Sequence, residues 1–297
     1  MNRDALLPVI AFSAVLACWT PCRAQDLPSV EQLLDSLPAQ AEPPSPGLQF
    51  RLTPSYLAPA AALSGEKLFQ FLHSATEFAP QGTGIDYLRS KKYMFSTADN
   101  SGCGGVPGVT CLYSQVCVKG SSEHGEDYKE PGDANGDGTV DSGGMNAEHA
   151  WPQGFFNKAA PMKSDLHHIF PTFITPNNTR GSVPFGPVAR AEYVTSAGSR
   201  FDGSAFEPAD SVKGDIARAI LYFVVRYYDR NIRDGMDYRA FWANRVQMFL
   251  DWDRMDPPDA AERRRNDLIA RYQGNRNPFV DDTSLAGRVG VKVFQSH

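Results

Sequence analysis

The last third of this 297-residue chain constrains its fold most, because segments there place apolar residues at helical spacing. From Val212 onward, "GDIARAILYFVVRYYDRNI" carries a broad apolar set. The next segment, "YRAFWANRVQMFLDWDRMDPPD", stays amphipathic until Pro257 and Pro258 stop it. A third segment, "AAERRRNDLIARYQGN", predicts a helix closed by Gly274. A shorter segment from Leu63 has the same spacing. These patterns predict a helical C-terminal half.

The N-terminus has the features of a secretory signal peptide over residues 1–24. Arg3 supplies a positive start, the apolar run "ALLPVIAFSAVLACW" is too short to span a bilayer comfortably, and Ala24 ends the segment with a small residue. We therefore predict a periplasmic or secreted protein. Cys18 in "VLAC" leaves a lipoprotein anchor open as a variant, and a membrane anchor or buried strand is the other alternative. Residues 25–60, rich in Pro, Ala and Ser, predict a linker or loosely held arm.

Composition indicates an ordinary globular protein, with 42% hydrophobic and 11% aromatic residues. The formal net charge of -5 does not indicate a polyanion binder, so any contact with nucleic acid must come from a local basic patch. Export permits disulfides. Cleavage after Ala24 would leave Cys103, Cys111 and Cys117, which allow one bridge and one free thiol without deciding the pairing.

Arginines are dense in the C-terminal helical segments and alternate with aspartates. A solvent-exposed helical face that carries many salt bridges explains this pattern. The functional alternative is a row of arginines that follows the phosphates of a nucleic acid.

The loop "DANGDGTVD" follows the start of an EF-hand calcium loop, with oxygen-bearing side chains at alternate positions and Gly138 after the third. The twelfth position should be a bidentate Glu, but it is Gly144. A polar, Gly-rich turn that needs no metal is therefore the alternative. The candidate Ca²⁺ ligands are Asp133, Asn135, Asp137, Thr139 and Asp141.

The stretch "MNAEHAWP" places Glu148 directly beside His149. A carboxylate is a hard oxygen ligand that suits Mg²⁺, and a neutral imidazole near its usual pKa of about 6.5 suits a general base. Neighbouring side chains point in different directions. An in-line displacement at phosphorus needs such an arrangement, with a base on one side and a cation on the other. Downstream, "SDLHHIFPTFITPNNTR" adds Asp165, His167, His168, Asn177 and Arg180.

Other chemistries remain open at this point. Three imidazoles suit zinc, so His149, His167 and His168 could serve a zinc hydrolase. The zinc-protease motif and the Gly-x-Ser-x-Gly motif of serine hydrolases are both absent from the sequence. His167 and His168 as buried residues that bond the backbone are the structural alternative.

Five blocks in the same order, "NAEHAWPQ", "SDLHHIFP", "NNTRGSVPFG", "GDIARAILYF" and "ERRRNDLIARYQGNRNPF", resemble the bacterial endonuclease I family. The resemblance runs from about Leu63 to Phe279. That family of periplasmic and extracellular DNases and RNases belongs to the ββα-metal, or His-Me finger, nucleases. The resemblance implies a mixed α+β single domain whose catalytic core is a β-hairpin followed by a helix. We expect this domain over residues 61–285, with a C-terminal tail at 286–297.

The resemblance also implies roles for individual residues. His149 matches the family's general base, Glu148 and Asn177 match its Mg²⁺ ligands, and Arg180 stands at a basic position assigned to phosphate contact. Asn178 replaces Asn177 if the register slips by one residue. Asp165, His167 and His168 would contact and orient these groups without touching the substrate. His168 stands where some relatives have Asn, which leaves its role open.

The implied function is a Mg²⁺-dependent, sequence-nonspecific endonuclease that leaves 5′-phosphates on DNA, RNA or both. Nucleic acid is the expected partner, and we expect a monomer. The alternative from another class is an exported calcium-binding or adhesion module that uses the loop at residues 133–141.

Overall fold

The computed structural model describes residues 53–77, 86–133 and 143–297. The predictions for the signal peptide, for Cys18 and for the linker up to residue 52 lie outside the described residues. All described residues belong to one unit of mutually contacting residues, 44–297. In the ranges described, no helix has both the length and the apolar character needed to cross a bilayer.

The described chain begins with a 3-10 helix, Pro54–Ala62, followed by helix α1, Gly65–Ala75. The apolar spacing of α1 buries Leu68, Phe69 and Leu72. The 3-10 helix buries Tyr56, Leu57 and Ala60 in the same core. Residues 54–60, which were predicted as part of the linker, therefore pack against the domain. Helix α2, Tyr87–Tyr93, begins at Asp86, whose carboxylate accepts hydrogen bonds from two backbone N–H groups.

Two short strands, β1 (Gly108–Thr110) and β2 (Cys117–Lys119), pair antiparallel. A disulfide joins Cys103 to Cys117, and Cys111 is a buried free thiol. The prediction of one bridge and one free cysteine is confirmed, and the structure supplies the pairing that the sequence left open.

A second pair of antiparallel strands carries the polar motifs. Strand β3, Met145–His149, pairs with β4, Ile169–Phe173, so that Glu148 lies opposite Phe170. Helix α3, Ile174–Arg180, follows β4 directly. β4 is buried along its whole length, which anchors this hairpin and helix in the protein interior. The loop between the strands contains several single-turn 3-10 helices.

Three two-residue strands then form a small antiparallel sheet: β5 (Tyr193–Val194), β6 (Arg200–Phe201) and β7 (Phe206–Glu207). Helices follow to the C-terminus. They are α4 (Lys213–Tyr227), α5 (Tyr238–Phe241), α6 (Val246–Met255), α7 (Ala260–Gln273), α8 (Pro278–Asp281), α9 (Leu285–Val289) and α10 (Val291–Ser296). Helix α4 is buried at nearly every position and runs through the centre of the core. The protein is therefore a mixed α+β protein with a helical C-terminal half, as predicted.

Two details of the C-terminal half bear on the predictions. Helix α7 ends at Gly274, which adopts φ +82°, a left-handed conformation that glycine reaches without strain. In the segment predicted as a tail, residues 286–297, most residues belong to α9 and α10, which bury Val289 and Phe294.

Several arginines of the C-terminal half form ion pairs with carboxylates of the same chain. The pairs are Arg254 with Asp251, Arg265 with Asp99, and Arg276 with Asp267 and Asp281. For these residues the structure favours the ion-paired helical face over a row that follows phosphates.

Candidate active site

A polar cleft of about 370 Å³ lies beside the unit formed by β3, β4 and α3. The strand contributes Asn146, Glu148 and His149 to its wall, and the helix contributes Asn177 and Arg180. The structure thus brings together the predicted base, both predicted metal ligands and the predicted basic residue. A separate cleft of about 210 Å³, around Asp99, Asp215 and Glu262, contains none of them.

Glu148 uses one carboxylate oxygen inside the protein. Its Oε1 accepts a hydrogen bond from the Tyr113 hydroxyl at 2.7 Å and another from Nη1 of Arg180 at 2.9 Å. Burial raises the pKa of the Glu148 carboxyl, and the charge of Arg180 and the Tyr113 hydrogen bond oppose this effect. No hydrogen bond from a described residue reaches Oε2, so that oxygen is available to a ligand in the cleft.

Arg180 is buried and holds the end of β3. Besides Glu148, its Nη1 donates to the carbonyl oxygen of His149 at 3.0 Å, and its Nη2 donates to that of Ala150 at 2.8 Å. The guanidinium carbon lies 4.4 Å from the ring centroid of Phe185. Phosphate contact by Arg180 stays a prediction, but its contacts in the structure are internal and give it a positioning role.

His149 is held by its Nε2 atom, 3.1 Å from the carbonyl oxygen of Lys163. A carbonyl only accepts, so Nε2 carries the proton and Nδ1 of the neutral ring is left unprotonated. Burial, together with the nearby His168 and Lys163, lowers the pKa of His149 to about 3. The expectation of a pKa near 6.5 is therefore wrong. The ring is neutral at neutral pH, but it is a weaker base than its sequence context indicated.

Asn177 presents an oxygen to the cleft because its amide nitrogen is engaged. Its Nδ2 donates to Oδ1 of Asn146, which leaves Oδ1 of Asn177 without a hydrogen bond from the described residues. The sequence reasoning missed Asn146. Its position two residues before Glu148 was the available signal, since residues i and i+2 of a strand share a face. Asn178, the alternative ligand, also borders the cleft and is exposed.

Asp165, His167 and His168 are buried away from the cleft wall. Asp165 accepts hydrogen bonds from Tyr222 (2.7 Å), Tyr227 (2.8 Å), Gln273 (2.7 Å) and the backbone N–H of His167 (3.0 Å). The Nε2 atoms of His167 and His168 lie 3.0 Å and 2.6 Å from the carbonyl oxygens of Asn275 and Met162. These bonds tie the loop before β4 to α4 and α7. His167 and His168 are therefore buried residues that bond the backbone, which was the structural alternative to a chemical role.

Hard oxygen donors fit Mg²⁺ at this site. The Oε2 atom of Glu148 and the Oδ1 atom of Asn177 are the free oxygens, and Mg²⁺ commonly takes one or two protein oxygens and keeps several waters. The described residues do not offer the ligand cluster that the zinc alternative requires. Within the ranges that the structure describes, no group of three or more His, Cys, Asp or Glu side chains could hold a metal ion.

Of the candidate Ca²⁺ ligands, Asp133 is described, but Asn135, Asp137, Thr139 and Asp141 lie outside the described residues. Calcium at this loop stays a prediction.

Comparison with known proteins agrees with the site. The family profile for endonuclease I matches residues 74–284. An extracellular ribonuclease of Bacillus amyloliquefaciens is 36% identical over 158 residues, which are 50% of this chain and 54% of the relative. An extracellular ribonuclease of Bacillus subtilis (strain 168) is 35% identical with the same coverage. A periplasmic deoxyribonuclease of Aeromonas hydrophila is 31% identical over 130 residues, 42% of this chain and 49% of the relative.

The matched part of the chain spans about half the length of these curated relatives. The family profile covers well over half of the chain and includes the whole β3, β4 and α3 unit. On that basis the chain belongs to the endonuclease I family.

Proposed function

We propose that this protein is an exported, Mg²⁺-dependent, sequence-nonspecific endonuclease that hydrolyses phosphodiester bonds of DNA, RNA or both. One observation carries the proposal: a single cleft is lined by the imidazole of His149, by a carboxylate with one free oxygen and by an amide with a free oxygen. Relatives named as ribonucleases and deoxyribonucleases support a nucleic-acid substrate, and their extracellular or periplasmic location supports export.

His149 is the general base in this proposal. Its Nδ1 accepts a proton from a water molecule, while the Lys163 carbonyl holds the ring through Nε2. The water oxygen attacks phosphorus in line, the bond from phosphorus to the 3′ oxygen breaks, and the departing oxygen takes a proton from solvent, which leaves a 5′-phosphate and a 3′-hydroxyl. The negative phosphate of a bound substrate raises the pKa of a nearby imidazole and so offsets part of the loss of basicity caused by burial.

Glu148 and Asn177 would hold the Mg²⁺ ion through Oε2 and Oδ1. When bound, the ion would stabilise the charge on the phosphate and the departing oxygen by about 3 kcal/mol. Arg180 and Tyr113 engage Oε1 of Glu148, which leaves Oε2 as the ligand. Asn146 accepts from Nδ2 of Asn177 and thereby turns the oxygen of that amide toward the cleft.

The test is cleavage of plasmid DNA and of RNA with Mg²⁺, with and without EDTA. We expect EDTA to abolish cleavage of both substrates. Asn177→Ala should raise the Mg²⁺ concentration for half-maximal activity by about 10- to 100-fold, the range typical of lost metal-site contacts. Asn178→Ala is the matched control and should change it less than about threefold.

Each contrary outcome points to a different error. Full activity in EDTA would remove the metal from the proposal. A larger effect of Asn178→Ala would move the second ligand to Asn178. A protein that cleaves neither nucleic acid would overturn the proposed function.

A further inference from the structure

Two lysines and a tyrosine form a second polar group next to His149. Tyr87 and Lys91, on α2, border the same cleft as the candidate metal ligands. The Tyr87 ring centroid is 5.9 Å from that of His149. The ammonium nitrogen of Lys163 lies 4.5 Å from the Tyr87 ring centroid, and that of Lys91 lies 5.9 Å from it. Two positive charges therefore flank one aromatic ring beside the proposed base.

The ammonium groups of Lys91 and Lys163 have no carboxylate partner among the described residues, whereas Lys92 has one. In the part of the chain that the structure describes, neither Lys91 nor Lys163 forms an ion pair, and both side chains are partly buried. Lys92, the next residue on α2, is exposed and pairs with Glu123 at 3.3 Å. Contact with the face of Tyr87 compensates part of the cost of holding two cations near each other. It does not neutralise their charge, so an anion in the cleft would complete the arrangement.

The other cation at the cleft wall is already engaged. Arg180 is buried and bonded to Glu148 and to backbone carbonyls. The chain as a whole carries a formal net charge of -5, so attraction of a polyanion requires a local basic patch. Lys91 borders the cleft and Lys163 lies over the ring of Tyr87, which also borders it, so the two lysines supply such a patch beside His149.

We propose that Lys91 and Lys163 bind two backbone phosphates next to the scissile one, one phosphate for each lysine, and that Tyr87 is the positioning residue that holds both ammonium groups. This inference rests on the proposed function, in which His149 acts at the scissile phosphate. Successive phosphates of one strand are separated by about 3.4 Å along the axis of a duplex and by more in an extended strand. A phosphate one or two steps from His149 therefore falls within reach of the lysines around Tyr87. Phosphate contacts carry no base information, which agrees with nonspecific cleavage.

The experiment compares a polymeric substrate with one that has a single phosphodiester. Long single-stranded DNA or RNA has adjacent phosphates, and bis(p-nitrophenyl) phosphate has none. The variants are Lys91→Gln, Lys163→Gln and the double variant, with Lys92→Gln as the control that removes the same charge from the same helix. Both values of kcat/KM are measured in the full-length protein with Mg²⁺, and the polymer assays are repeated over a range of salt concentrations.

The expected result is a loss that is larger on the polymer. Each lysine variant should lower kcat/KM on single-stranded polymer by about eightfold at 50 mM salt, because each phosphate contact scales binding with salt to a power of about -0.7. The double variant should lose about 60-fold and have a salt slope shallower by about 1.4. Activity of Lys91→Gln on bis(p-nitrophenyl) phosphate should stay within about twofold. Lys163→Gln is judged by the ratio of its losses on the two substrates, and the loss should be larger on the polymer, because the Lys163 charge also lowers the pKa of His149 and its removal acts on both substrates. Lys92→Gln should change neither value by more than about twofold.

Tyr87 needs a separate readout. Tyr87→Phe keeps the ring and should retain the polymer preference, whereas Tyr87→Leu should lose it without a change on the small substrate. Equal losses on both substrates would place the lysines at the scissile bond and overturn the subsite. So would no loss on the polymer, or an equal loss in Lys92→Gln. A wild-type protein that cleaves neither substrate would overturn the proposed function, and the subsite with it.

Discussion

The buried ion pair between Arg180 and Glu148 gives the sharpest prediction about the fold. Both side chains are almost fully excluded from solvent, at 1% and 3% exposure, and the charged atoms are 2.9 Å apart. Arg180→Met removes the cation and leaves a carboxylate buried without its counter-charge, which costs about 3–5 kcal/mol. The variant also leaves the carbonyls of His149 and Ala150 without their donors. Unpaired buried carbonyls add about 1–3 kcal/mol each where no water replaces the donor.

Urea unfolding followed by tryptophan fluorescence measures this effect. With an m-value of about 3 kcal/mol/M, Arg180→Met should lower the urea midpoint by at least about 1 M. Arg254→Met is the matched control, because Arg254 pairs with Asp251 at the surface, and its free energy of unfolding should change by less than about 1 kcal/mol. Adding Glu148→Gln to Arg180→Met should restore part of the stability, since the uncompensated charge is gone. If Arg180→Met unfolds at the wild-type midpoint and only loses nuclease activity, Arg180 contacts substrate and the positioning role is refuted.

Three further predictions concern stability. Reducing the disulfide between Cys103 and Cys117, which closes a loop with a sequence separation of 14, should lower the free energy of unfolding by about 3 kcal/mol in urea titrations with and without reductant; an unchanged midpoint would contradict this. Burial lowers the pKa of His167 and of His168 to about 4, so between pH 6.5 and pH 4 the unfolded chain binds more protons than the native one. Stability should therefore fall with falling pH, by up to about 1.4 kcal/mol per pH unit for each imidazole, and a urea midpoint that is flat or rises from pH 6.5 to pH 4 would refute the assignment. Tyr113→Phe deletes a buried 2.7 Å hydrogen bond to the candidate ligand carboxylate and should cost about 1–2 kcal/mol; a midpoint equal to wild type would show that this bond contributes nothing.

Elements with strong local patterns were predictable from the sequence. Helix α4 follows from its broad apolar set, and helix α7 ends at the predicted Gly274. The residues that gather at the cleft were also identified, because Glu148, His149 and Asn177 occur in ordered blocks with recognisable chemistry. In these cases the information lies in neighbouring residues of the chain.

Features that depend on the approach of distant segments were not predictable. The partner of Arg180 is fixed when α3 packs against β3, 32 residues away in the chain, and a phosphate contact was the natural interpretation of an isolated arginine. The pKa of His149 depends on its burial, which no local pattern reveals. Residues 286–297 have little periodicity, yet Phe294 packs against Phe69 and its carbonyl accepts from the Trp242 indole. Helices α9 and α10 therefore depend on contacts with the assembled core, which the local sequence does not show.

The central claim is that the imidazole of His149 removes a proton from water at the metal-bearing cleft. The most direct measurement is kcat for plasmid cleavage by His149→Ala at saturating Mg²⁺, on protein whose urea midpoint matches the wild type. The account predicts that kcat falls by about 10²- to 10⁴-fold, the contribution typical of a general base. A value within about threefold of wild type would contradict it, because the reaction would then proceed without that base.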